Sequence, residues 1–195
     1  MKNLKEFNDV YVSTDIEADG HLPGKNSMLS FAAAALDINR TILGTFSRNL
    51  HTLPYAQQDV ETMKFWSKFP DAYQRTRENC IDPAQAFSEF RDWSNGLKRH
   101  GPPIFMVYPG RFDMRFIDWY SLSFIGESLL GRSSIDLKTY AYAALKIPFR
   151  RCVKKNFPKK WFTNKPHTHI AEDDAIEQGE MGVNMIRHHL GLPII

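Results

Sequence analysis

Two carboxylates, Asp15 and Glu17, stand two positions apart in the stretch VYVSTDIEADG, residues 10–20. Val10, Tyr11 and Val12 ahead of them are β-branched or aromatic and predict a buried strand. Side chains of a strand alternate faces, so both acids would project to one side, roughly 7 Å apart. Like charges at the end of a core strand resist burial unless protons or cations neutralise them. Magnesium or manganese suits that task, because a hard cation takes carboxylate oxygens and keeps positions open for water and phosphate. The same residues also fit a strand that runs into an acidic turn, Asp19-Gly20 being common turn chemistry.

Asp113 is the next candidate. It follows the short apolar run Ile104 to Tyr108 (IFMVY), at the head of a segment whose Phe112 and Phe116 recur at helical spacing. A first-turn aspartate ordinarily serves the helix dipole. In an α/β sheet, however, ligands gather beyond the carboxyl ends of strands, where this acid and the Asp15/Glu17 pair would meet. Near the end of the chain Ala171, Ala175, Gly179 and Gly182 form a stripe of small residues that predicts a helix lying close against the sheet. Asp174 borders that stripe, whereas Glu172 and Asp173 turn toward solvent, and the three also fit the common pattern of first-turn acids. His169 lies five residues before Asp174, which is not a helical pair, so it belongs in the loop ahead of the helix, placed to reach over a metal site and retract. His167 falls outside this spacing, and His188 and His189 suit the last turn of the helix, where an imidazolium is favoured.

The elements that must position these groups follow from hydrophobic pattern. Met28 to Leu36 and Thr41 to Leu50 predict two strands after the first, making an antiparallel meander over residues 10–50, although the alanine run in MLSFAAAAL also fits a helix. Asp59 to Phe69 and Ala72 to Arg77 read as helices separated by Pro70. Pro83 to Lys98 carries an apolar stripe at Ala86, Phe87, Phe90, Trp93 and Leu97, with Asp82 as N-cap and Pro83 in the first turn. Ile104 to Tyr108 reads as a central strand buried on both faces, and Ile135 to Leu145 as a strand end and helix. Ile170 to Leu190 is the last helix, closed by Gly191 and Pro193. A meander followed by alternating helices and strands predicts one three-layer α/β domain, residues 1–195, around a mixed central sheet.

Composition narrows the function classes. The first residues, MKNLKEFNDVYV, lack an apolar signal core, and the longest apolar run, Phe31 to Leu36, is too short to cross a bilayer. Cys80 and Cys152 form neither a disulfide framework nor a zinc cluster, so a cytoplasmic setting is expected. The net charge of +3 hides an asymmetry: residues 146–165 hold eight basic side chains and no acid, leaving 17 basic against 22 acidic residues elsewhere. Such a segment points to a polyanionic partner. Pro148, Pro158 and Pro166 break it, which predicts a long loop.

Taken together, Asp15 and Glu17 in DIEADG, Asp113 in FDMRF, and His169 and Asp174 in HIAEDDA resemble the three motifs of the DEDDh branch of the DnaQ-like 3′-to-5′ exonuclease superfamily, which includes proofreading exonucleases, oligoribonuclease and RNase T. All three occur in order and span nearly the whole chain, and ETMKFWSKFP is more loosely similar to the T-x-x-W-W region of some stand-alone bacterial and phage members. Many members have His-Asn five and four residues before the second-motif aspartate, where this chain has Tyr108 and Pro109. The resemblance implies a ribonuclease-H-like fold with two Mg²⁺ or Mn²⁺ ions held by Asp15, Glu17, Asp113 and Asp174. It implies His169 as general base, an imidazole with an ordinary pKa of about 6.5 being suited to neutral pH. Products would be nucleoside 5′-monophosphates cut from the 3′ end of a single strand.

That reading gives the basic segment a role. Lys154, Lys155, Lys159 and Lys160 would meet phosphates while Trp161 and its neighbours Phe149, Phe157 and Phe162 stack on bases. A solvated loop with its rings tucked into the body fits equally. Met28, with Leu29, is a candidate wedge against the terminal base, or else a buried strand residue. Small stand-alone relatives lean toward RNA or short oligonucleotides, with single-stranded DNA as the alternative, and several are homodimers. The rival classes are a nucleic-acid-binding module that lost catalysis, against which the complete acid set argues, and a hydrolase of small phosphate esters, against which the long basic segment argues.

Overall fold

The computed structural model describes residues 7–163, 165 and 168–195. The readings of residues 1–6, of Pro166 as a loop breaker and of His167 lie outside the described residues. Within them a five-stranded sheet runs in the order β3-β2-β1-β4-β5. β1 (Val10–Ala18), β2 (Met28–Leu36) and β3 (Ile42–Asn49) form the expected antiparallel meander. β4 (Pro103–Val107) then pairs parallel with β1, and the short β5 (Ile135–Asp136) pairs parallel with β4. β1 therefore holds the centre, and the IFMVY strand expected there sits one place toward the edge.

The alanine run is a strand, and its alternation explains why. Phe31, Ala33 and Ala35 join one hydrophobic layer while Ala32, Ala34 and Leu36 join the other, so every side chain of β2 is buried. On the first face Phe31 packs against Phe87 and Phe90 of α3 (Pro83–Leu97), with ring centroids 5.4 and 4.6 Å apart. The expected cap of α3 forms: Asp82 accepts the Ala84 N–H at 2.8 Å, with Pro83 in the first turn. On the other face lies the closing helix α6 (Ala171–Leu190), seated by its glycines. A Cβ at Gly179 would stand 2.6 Å from Leu36 Cδ1 and 3.1 Å from Ser13 Cβ, so a larger residue would push the helix off the sheet.

The remaining helices are α1 (Val60–Trp66), α2 (Pro70–Arg75), α4 (Gly110–Ile125) and α5 (Leu137–Leu145). Pro70 divides α1 from α2, as expected, and is itself the first residue of α2, the position where its missing N–H costs nothing. The basic segment, by contrast, is no open loop. It makes single turns of 3-10 helix at Phe149–Arg151, Lys154–Asn156 and Lys159–Trp161, two of them entered through Pro148 and Pro158. Buried Cys152, Phe157 and Trp161 anchor these turns to the second hydrophobic layer.

Candidate active site

Alternation along β1 decides where the acids point. Val10, Val12, Ile16 and Ala18 enter the first hydrophobic layer, so Tyr11, Ser13, Asp15 and Glu17 face α6. Farther along α6, Gln178 fixes the distance between helix and strand by donating to Ser13 Oγ at 3.0 Å and to the Thr14 carbonyl at 2.9 Å. β4 runs parallel to β1, so the start of α4 falls beside the carboxyl half of β1 and brings in Asp113, 3 % exposed. Asp174, 2 % exposed, enters from the first turn of α6.

One carboxylate oxygen each from Glu17 and Asp174 and a ring nitrogen of His169 lie within 4.8 Å of one another. Asp15 completes the cluster electrostatically. Burial holds its carboxyl well above the usual range, and Asp113, Glu17 and Asp174 push it further. Glu17 is raised in the same way by burial, then by Asp174 and Asp113, although both β1 acids keep some solvent-facing surface. Asp113 is raised by burial, and its own N–H and the Lys154 ammonium oppose the rise. Asp113 Oδ2 is buried with no hydrogen-bond partner among the described residues. An orphaned oxygen beside converging acids is costly in an apolar setting and suits a hard divalent cation. Of the four acids that the family resemblance implies as metal ligands, Glu17 and Asp174 thus meet, with His169, in a group able to hold an ion.

His169 stands in the loop before α6, as expected, in the left-handed conformation with φ 57°. For a side chain with a Cβ that conformation needs support from its surroundings. Asp174 provides it by accepting the His169 N–H on Oδ2 at 3.0 Å and the Thr168 N–H on Oδ1 at 2.9 Å. The imidazole rests against Phe69 and Phe65, with centroids 4.4 and 5.1 Å away. These rings belong to ETMKFWSKFP, where the sequence showed a likeness but no role. Trp66 pins that helix to β1 by donating its Nε1–H to the Ala18 carbonyl at 3.0 Å. Between α1 and α4 opens a cavity of about 340 Å³, bounded by Glu17, Gly20, His21, Phe65 and Phe112. The sequence signal for this wall was the aromatic spacing Phe65, Phe69, with Trp66 between as the anchor.

Other candidates fare differently. Met28 is 0 % exposed, and its N–H is donated to the Tyr120 hydroxyl at 2.7 Å; with Leu29, also 0 % exposed, it is a core strand residue and no wedge. Trp161 is 0 % exposed and donates its Nε1–H to His188 Nδ1 at 3.0 Å, so it offers no face for a base. Phe157 is buried with it, because the 3-10 turns need apolar anchors to lie down on α6. Lys155, Lys159 and Lys160 are exposed, and Lys160 Nζ lies 2.9 Å from His188 Nε2. Lys154 alone of the four lysines is half-buried, paired with Glu177 of α6.

No protein-family model matches the chain. It is 25 % identical over 183 residues to the 3′-5′ DNA exonuclease Cap18 of Escherichia coli, covering 91 % of this chain and 92 % of that protein. Among solved structures it is similar to the nuclease domain of 3′hExo, a DEDDh family member bound to rAMP, with TM-score 0.70, 15 % identity and coverage of 96 % and 95 %. S. pombe Pop2p in its Mg²⁺- and Mn²⁺-bound form aligns with TM-score 0.58 and 13 % identity over 98 % of this chain and 88 % of that one. The mixed sheet flanked by helices is accordingly the ribonuclease-H-like fold that the sequence predicts.

Proposed function

We infer that this chain, a member of the DEDDh branch of the DnaQ-like exonuclease superfamily, hydrolyses single-stranded nucleic acid from its 3′ end and releases nucleoside 5′-monophosphates. The observation that carries the reading is the meeting of Glu17, Asp174 and His169 within 4.8 Å, with an oxygen of Asp113 that has no hydrogen-bond partner among the described residues. Divalent cations held by Asp15, Glu17, Asp113 and Asp174 would supply positive charge to the attacking and leaving oxygens.

The chain's own groups do the rest. His169, held by Asp174 through its backbone and by Phe65 and Phe69 through its ring, takes a proton from the attacking water. The water oxygen bonds to phosphorus, the bond from phosphorus to O3′ of the preceding nucleotide breaks, and that oxygen is protonated from solvent. The aromatic cavity between Phe65 and Phe112 holds the terminal nucleoside beside Glu17 and fixes which bond is presented. We take DNA ahead of RNA, against the lean drawn from the sequence, because the relative similar over nine-tenths of both chains is by name a DNA exonuclease.

The test is time-resolved digestion of matched 5′-labelled DNA and RNA single strands with Mg²⁺ or Mn²⁺, using wild type and Asp174→Asn. A ladder shortening from the 3′ end, faster on DNA and lost with EDTA or in the variant, is the expected result. Intact strands after incubation with folded, metal-supplemented protein would overturn the reading.

A further inference from the structure

Lys154 differs from the other cations of its segment in where its charge falls. Its Nζ is paired with Glu177 and lies over the Tyr108 ring, 5.8 Å from the centroid. The lysine side chain is 28 % exposed and that of Glu177 only 7 %. Glu177 stands three residues after Asp174 on α6, so its carboxylate lies one turn along the same helix face. Tyr108 directly precedes Pro109, the N-cap of the helix that carries Asp113. The Tyr108 hydroxyl donates to the Cys152 carbonyl at 3.4 Å and its ring packs on Phe157 at 5.8 Å, which ties the ring to the turn bearing Lys154. At Asp15 and Asp113 the ammonium opposes the rise that burial imposes. The cation thus sits between a fixed ring and a buried carboxylate that lies one helix turn from Asp174.

An anionic strand approaching four carboxylates meets repulsion, and a partly exposed ammonium offsets it. Glu177 takes one of its three protons, and a flexible four-carbon stem lets the head turn toward a second acceptor. We propose that Lys154 binds the phosphate of the 3′-terminal nucleotide in the site described above, with Glu177 and the Tyr108 ring as positioning groups. The proposal rests on the exonuclease reading and adds a contact to it.

The test compares equilibrium binding of thymidine 5′-monophosphate and of thymidine, in Mn²⁺, by wild type, Lys154→Met, Lys154→Arg and Glu177→Gln. Thermal melting and strand digestion are followed in parallel. Lys154→Met should weaken the monophosphate about tenfold and leave thymidine unchanged, the loss of one charge-assisted hydrogen bond. Lys154→Arg should retain most of the phosphate-dependent affinity, and Glu177→Gln should fall between the two. Equal loss of both ligands with a lower melting temperature would make Lys154 a structural residue and overturn the proposal. So would unchanged monophosphate affinity in Lys154→Met alongside a wild type that cuts strands. A wild type that cuts no strand overturns the exonuclease reading, and this contact with it.

Discussion

The five residues of the acid site come from three separate places in the chain, whereas the eight cations of the basic segment lie within twenty consecutive residues. The scattered set converges and the contiguous set disperses. Asp15, Glu17, Asp113 and Asp174 each ride on a strand or the first turn of a helix, where backbone geometry fixes the direction of the side chain. Six of the eight cations ride on short turns whose orientation is set by whichever apolar neighbour is buried. Charge in a run reveals the sign of a partner; periodicity within an element reveals the place of a side chain.

Substitutions that neutralise the acid site should sharpen the contrast most. Asp15→Asn or Asp174→Asn should lower strand cleavage by about 10³-fold or more, the loss of several kcal/mol of transition-state stabilisation. Melting temperature checks that Asp174→Asn keeps its loop, since that side chain also accepts the amides of Thr168 and His169. His169→Ala should cost about 10²–10⁴-fold in kcat, with metal binding followed separately by calorimetry.

Next in size is Trp161→Ala in the basic segment, which should destabilise the protein by about 3–5 kcal/mol in urea unfolding through the cavity it leaves. If Trp161 stacked on bases, the variant would instead keep its stability and lose strand affinity.

A third contrast is in pH dependence. The carboxyls of Asp15, Glu17 and Asp113 are raised when folded, so between the ordinary carboxylate range and their raised values the folded protein binds more protons than the unfolded chain. Stability therefore falls as pH rises through that window. The metal-free protein should melt at a higher temperature near about pH 5.5 than near about pH 7.5, and Asp15→Asn should shrink the difference. At the higher pH, Mn²⁺ should raise the melting temperature of wild type, because it binds the folded state alone.

The smallest effect belongs to the exposed lysines. Lys155→Ala with Lys159→Ala should change KM on a long strand by about threefold or less, vanishing at high salt, since exposed charges are screened. A larger, salt-resistant loss would move the path of the strand onto this segment and weaken the contrast.

The sequence carried further for the acids than for the walls around them. The meander, the capped helix after Asp82 and the small-residue stripe on α6 follow from period and turn chemistry, and the first and last of these position Asp15, Glu17 and Asp174. The alanine run was ambiguous by composition, because alanine suits both helix and strand. Burial on both faces resolved it in favour of β2. Met28 and Trp161 illustrate the reverse, since neither an apolar residue after a metal motif nor a ring among lysines announces which way it faces. Phe65 and Phe69 contact His169 from about a hundred residues away, a contact made only when α1 lies down on the end of β1.

By itself, then, the sequence marked out the candidates: four carboxylates on a strand or a helix's first turn, and a histidine in the loop ahead of the last helix. Tertiary structure alone decided which cation pairs with Glu177 and which rings lie against His169. The physical reason is that a strand or helix orients side chains through local backbone geometry, whereas Lys154, Phe65 and Trp161 are oriented by packing against segments distant in the chain.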